Sequence, residues 1–185
     1  MKSVVQPVKD LTDIALVKKL LTKHHGQMYT DVWEFGINTA LRVSDILSIK
    51  YEDIKNDRIT LKEKKTSKYS EKKLVPKLME IVARRRLENP EHVYLFQSNS
   101  NRSMSLTRPL SKTSVYNALS AVGEIVGVHM GTHSMRKTRG YHVYNQTKDI
   151  GLVMDMLNHS SERETLRYIG INQEVHDKLA EDIVL

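Results

Sequence analysis

Apolar residues along the chain keep one spacing for a stretch, then change it, and the changes mark the elements. From Asp10 to Lys23, Ile14, Val17, Leu20 and Leu21 recur three and four apart, predicting an amphipathic helix capped by Asp10. A second helix is expected from Gln27 to about Leu41, with Val32, Phe35 and Leu41 inward. Ser44 then offers a cap for a short helix holding Ile46, Leu47 and Ile49. The period next drops to two. Arg58 to Lys62 alternates, and Lys72 to Pro76 resumes an extended pattern, predicting a β-hairpin whose tip is the Lys-rich stretch Lys64 to Ser70. Pro76 ends that strand and suits the first turn of a helix running to about Leu87. Gln97 to Thr107, dense in Ser and Asn, reads as a surface loop, and Ser114 to Val126 as an amphipathic helix with Val115, Leu119, Val122 and Val126 on one face. From Gly131 onward the pattern is helical: Thr132 to Tyr144, Ile150 to Leu157, then a helix opened by Ser161 and closed by Gly170. A last short helix, Glu174 to Leu185, would align Val175, Leu179 and Ile183. The expected fold is mainly α (α+β), with a small antiparallel sheet.

Composition narrows the class. With 185 residues, 39% of them hydrophobic, the chain suits one globular domain with a real core. It has no apolar run long enough to span a membrane and no visible secretory signal. The absence of cysteine excludes disulfides, Cys-based zinc sites, iron–sulfur clusters and thiol nucleophiles, and fits a cytoplasmic setting. A net charge of +7 favours polyanionic partners, nucleic acid above all. The charge is uneven: residues 162–185 carry a net −3, leaving +10 on the rest. That acidic end reads either as a solvated terminal helix or as a partner-facing tail.

Several candidate motifs carry little. His24-His25, and His129 with His133, lack a third ligand at metal-binding spacing. Gly123, Gly127 and Gly131 match no phosphate loop and read as packing and turn glycines, while Arg84-Arg85-Arg86 reads as the exposed side of a helix. More informative is the set of Arg42, Lys65, His133, Arg136, His159 and Tyr168. Arginine presents a planar donor fork to phosphate oxygens, Lys or His moves protons, and Tyr can be a covalent nucleophile. Such a set suits phosphoryl transfer at a nucleic-acid backbone. Each member also has a plain structural reading, and spacing alone leaves both open.

The order and spacing resemble the catalytic domain of the tyrosine recombinases, the phage integrase family. Thr39-Ala40-Leu41-Arg42-Val43-Ser44-Asp45-Ile46-Leu47 resembles its first box, with Ala40 where Gly is more common. Ile59 to Lys68 resembles its lysine hairpin, with Lys65-Thr66-Ser67 for the frequent Lys-Thr-Gly. His133-Ser134-Met135-Arg136-Lys137 resembles the second box, and Leu157-Asn158-His159-Ser160-Ser161 the third, with Tyr168 at the usual interval. Asn158 replaces a Gly and tolerates the same left-handed geometry. The resemblance covers roughly residues 10 to 175.

It implies a site-specific DNA recombinase or integrase that needs no cofactor, metal or ATP. Tyr168 would attack the scissile phosphate, Arg42 and Arg136 would clamp its oxygens, Lys65 would protonate the leaving oxygen, His133 would accept the tyrosyl proton or hold the phosphate, and His159 would donate a hydrogen bond to it. Asp45 would orient Arg42, and Lys64, Lys68 and Lys137 would touch DNA. The implied partners are double-stranded DNA and further copies in a synaptic tetramer, from a monomer off DNA. The implied setting is the cytoplasm of a bacterium, the gene being bacterial or phage-borne. Residues 1–185 would form a single catalytic domain, with 1–9 an N-terminal extension and 169–185 a C-terminal tail suited to contacting a second protomer. Neither a core-binding nor an arm-binding domain is expected, whether the chain is a fragment or a naturally short member. The rivals are a type IB topoisomerase-like enzyme, which uses nearly the same residues, and a non-catalytic DNA-binding accessory module.

Overall fold

Helix α1 (Leu11–His25) begins where Asp10 accepts the backbone N–H of Thr12 at 2.7 Å, and it buries Val17 and Leu21. Gly26, at φ 91°, turns the chain into α2 (Gln27–Thr39), the central helix. Buried positions lie all round α2: Val32, Trp33 and Phe35 enter the core, while Asp31 and Glu34 meet cations. The computed structural model describes residues 5–62, 69–98, 107–171 and 182.

Helix α3 (Val43–Ser48) starts one residue before the expected Ser44 cap, with Arg42 at the N-cap position. Strands β1 (Ile54–Lys55), β2 (Arg58–Lys62) and β3 (Tyr69–Lys73) form an antiparallel sheet in that order. β2 matches the sequence expectation and turns Ile59 and Leu61 inward. The two-residue β1, which pairs Ile54 with Ile59, was too short to show in the pattern. β3 lies earlier than the expected Lys72–Pro76, because the ladder pairs Arg58 with Lys73 and Lys62 with Tyr69. Leu74, whose apolar character suggested a strand, is instead a core residue beyond the ladder, and Val75 caps α4 (Pro76–Glu88). The hairpin tip at 63–68, residues 99–106 of the Ser/Asn-rich loop, and nearly all of the expected last helix lie outside the described residues. That loop is closed at its base by a bridge between Gln97 and Pro109.

The triple arginine departs from its expected exposed face. Arg85 is only 4% exposed: it ion-pairs with buried Asp31 at 3.3 Å, donates to the Leu95 carbonyl, and stacks on Phe96. Arg84 meets the same carboxylate at 2.6 Å, and the Arg86 guanidinium lies 3.8 Å from the centre of the Tyr51 ring. Asp31, on α2 and 54 positions from Arg85, draws these cations inward, which a linear charge run does not reveal.

Helices α5 (Lys112–Val126), α6 (Ser134–Thr147), α7 (Ile150–Leu157) and α8 (Glu162–Ile169) complete the described fold. α5 begins earlier than expected because Ser111, rather than a later residue, caps it. Ser161 caps α8 and Gly170, at φ 78°, closes it as the pattern predicts. The large core gathers Trp33, Phe35, Leu78, Phe96, Leu119 and their neighbours from α1 to α5. A smaller core of Ala40, Val153, Leu157 and Ile169 lies under α6, α7 and α8. Two glycines let these layers meet. A Cβ on Gly36 would collide with Met135, and one on Gly140 would stand 2.7 Å from Ile169. α6 is thereby drawn against both α2 and α8, and the sequence boxes converge along it.

Candidate active site

Three turns of backbone set the site. Ala40 ends α2 in the left-handed region (φ 56°), a conformation that costs a non-glycine residue roughly 1–2 kcal/mol. This is the position where the resemblance leads one to expect Gly. Asn158 ends α7 in the same region (φ 50°), as anticipated. His133 stands at the N-cap of α6 rather than inside it, but its backbone is already right-handed helical, so it and Arg136 still line one cavity.

Arg136 ties the first and third boxes together. Its two terminal nitrogens donate to the carbonyls of Ala40 and Leu157, at the C-terminal ends of α2 and α7. A cation there complements the negative ends of both helix dipoles and fills carbonyls that the helices leave open. The side chain is 3% exposed, so its geometry is held by the protein before any ligand arrives.

A cavity of about 600 Å³ opens beside it, lined by Arg42, Ser44, Lys112, Tyr116, Thr132, His133 and Arg136 among others. Lys112 and Tyr116 were not singled out from sequence. Both sit on the first turns of α5, where a capped amphipathic start looked complete; the available signal was Tyr116, an aromatic on the polar side of that helix.

Tyr168, on the last turn of α8, reaches this group. Its hydroxyl lies 3.1 Å from His133 Nδ1, and its ring meets the His159 ring edge to face at 5.0 Å. Burial pushes the phenol pKa up, while the Arg136 and Arg42 charges and an Arg136 hydrogen bond pull it down; burial wins. His159 is anchored below, its Nδ1 3.1 Å from Thr165 Oγ1. Asp45 is buried on α3, three residues from Arg42.

Lys137, expected to touch DNA, sits largely within the protein. It is 7% exposed, donates to the Val5 carbonyl at 2.7 Å, and lies 5.0 Å from the centre of the Tyr168 ring. Burial lowers its pKa. Its partner belongs to a strap: Gln6 bonds His129 and Ser134, and Val8 bonds Thr138. Residues 5–8 of the expected N-terminal extension are thus laid along α6. Lys64, Lys65 and Lys68 lie outside the described residues. Among the described residues, no three His, Asp or Glu side chains cluster at metal-binding spacing, and no helix is long and apolar enough to cross a membrane.

The phage integrase family profile matches residues 13–174. The chain is 37% identical over 173 residues to the probable integrase/recombinase YoeC of Bacillus subtilis (strain 168), covering 92% of each chain. Its fold resembles the XerH site-specific recombinase bound to a palindromic difH substrate in a post-cleavage complex, with a TM-score of 0.71 at 17% identity. That match covers 96% of this chain and 53% of XerH. A lambda integrase tetramer bound to a Holliday junction gives a TM-score of 0.69 at 14% identity, covering 91% of this chain and 49% of that one. The chain therefore spans about half the length of these two solved recombinases. The fold is that of a tyrosine recombinase catalytic domain. The chain belongs to the phage integrase family, whose work is site-specific DNA recombination.

Proposed function

We propose that this chain cuts and rejoins duplex DNA by two transesterifications, with Tyr168 as the nucleophile and neither a metal nor ATP taking part. The Tyr168 oxygen attacks a backbone phosphorus and displaces the 5′-oxygen of the next nucleotide, leaving a 3′-phosphotyrosyl bond. The freed 5′-hydroxyl of a partner strand later reverses the step and releases the tyrosine. The observation that carries the reading is the Tyr168 hydroxyl 3.1 Å from an imidazole nitrogen, beside a cavity lined by two guanidiniums.

A phenol is protonated near neutral pH and burial favours that form further, so attack needs a base. His133 is in reach of that proton. Arg42 and Arg136 offset the charge that grows on the non-bridging oxygens, and Arg136 brings its guanidinium already oriented. Lys65 gives its proton to the departing 5′-oxygen, Asp45 orients Arg42, and His159 contacts the phosphate. The basic body grips DNA through phosphates, aided by Lys64 and Lys68. Strand exchange proceeds in a tetramer formed on DNA by a protein that is monomeric off it, in the bacterial cytoplasm. Residues 1–185 act as one catalytic domain, and the tail after Tyr168 docks on a neighbouring protomer.

The test is a suicide substrate nicked beside the cleavage site, incubated with protein in excess EDTA. A covalent protein–DNA adduct is expected, lost in Tyr168→Phe while DNA affinity stays. An adduct that survives that substitution moves the nucleophile elsewhere. Relaxation of supercoils without strand exchange would make the chain a topoisomerase-like enzyme instead.

A further inference from the structure

The hydrogen-bond chain behind His159 decides which of its nitrogens holds a proton. Thr165, on the first turn of α8, is fully buried, and its Oγ1 lies 2.7 Å from the Ser161 carbonyl and 3.1 Å from His159 Nδ1. A carbonyl oxygen only accepts, and two oxygens 2.7 Å apart repel unless a proton lies between them. The hydroxyl proton therefore points at Ser161. Thr165 Oγ1 then has only lone pairs to offer the imidazole, so Nδ1 must carry the hydrogen.

A neutral imidazole carries one N–H. With Nδ1 as the donor, Nε2 has a lone pair, which repels a phosphate oxygen. We propose that Thr165 is a positioning residue that holds neutral His159 as the Nδ1–H tautomer, so that His159 donates to a DNA phosphate only as the imidazolium. The tautomer is a property of the folded chain; the phosphate contact rests on the recombinase reading above. When the ring takes up a proton from solvent, that proton goes to Nε2, Nδ1 keeps its bond to Thr165, and both N–H groups are used. The same arrangement bars the neutral ring from serving as donor.

The elements around His159 bring further charged and titratable groups to this corner. α8 contributes Tyr168, the last turn of α7 contributes Asp155, and the start of α6 contributes His133, Arg136 and Lys137, with Arg42 ahead of α3. The pH behaviour of catalysis therefore has several contributors, and a readout specific to His159 is required. Two-bond proton–nitrogen correlation spectra supply one, because they report which ring nitrogen is protonated.

The experiment uses the full chain with 15N-labelled histidine, His159 being assigned by its absence in His159→Gln. At a pH where the ring is neutral, wild type and Thr165→Ser should show the Nδ1–H tautomer. Thr165→Val, which keeps the shape but removes the acceptor, should move toward the Nε2–H form usual for imidazole in water. Nε2–H in the wild type, or an unchanged tautomer in Thr165→Val, would overturn the proposal; Thr165→Ala serves if the Val variant does not fold. Covalent capture of suicide DNA then tests the second half. Its rate should fall by about tenfold per pH unit on the alkaline side in wild type and Thr165→Ser, as loss of one required proton demands. That limb should flatten in Thr165→Val, whose neutral ring can donate from Nε2. An equally steep limb in Thr165→Val would refute the imidazolium requirement. A wild type with the expected tautomer but no DNA adduct would refute the recombinase reading and leave the tautomer standing.

Discussion

The Tyr168 hydroxyl lies 3.1 Å from His133 Nδ1, although the two residues are 35 positions apart and sit on different helices. The contact exists because α6 and α8 approach closely at Gly140 and because His133 stands at the exposed N-cap of α6. The proposed nucleophile and its proposed base are therefore in contact within the folded chain itself. Their chemistry is set by what surrounds them.

Burial raises the Tyr168 pKa above that of an ordinary phenol. A spectrophotometric titration of wild type minus Tyr168→Phe should show one tyrosine ionising at higher pH than free tyrosine. Removing a guanidinium removes a charge that favours the phenolate, so Arg42→Met should push this ionisation higher still. A downward shift in Arg42→Met would contradict the assigned balance of burial and charge.

Lys65 is expected to be the general acid. Lys65→Ala should slow strand cleavage by about 10²–10⁴-fold. A bridging 5′-phosphorothioate substrate, whose sulfur leaves without a proton, should recover most of that loss. Failure of the rescue would reduce Lys65 to a DNA-binding residue and turn attention to Lys64 and Lys68.

Lys137 should behave as a buried tie, not as a phosphate contact. Lys137→Ala removes a charged donor from the Val5 carbonyl and should cost about 2 kcal/mol in urea unfolding. The slope of log affinity against log salt should be unchanged, whereas losing a true phosphate contact lowers it by about one. A slope change of that size would place Lys137 on DNA after all.

The three consecutive arginines should be unequal. Arg85→Ala leaves Asp31 buried with one partner fewer and should destabilise by about 3 kcal/mol. Arg86→Ala gives up a cation–π contact with Tyr51 and carbonyl bonds near the surface, about 1 kcal/mol. Equal effects in denaturant titrations would contradict the burial difference.

What the sequence determined on its own is local. Asp10, Ser161 and Gly170 act where they stand, through caps and turns closed within a few residues, so their roles were legible in the linear pattern. The same holds for β2, whose two-residue alternation is written in five adjacent positions. The candidate catalytic set was legible only through resemblance, since each residue alone has a plain structural reading. Tertiary structure decided the rest, because it depends on groups brought from far along the chain. Asp31 turned Arg85 inward from 54 positions away. Val5 took up the amine of Lys137 from 132 positions away. Arg136 joined Ala40 to Leu157 only because α2 and α7 end on either side of α6. A charged side chain is soluble or buried according to the partner that meets it. That partner is chosen by packing, not by neighbours in sequence.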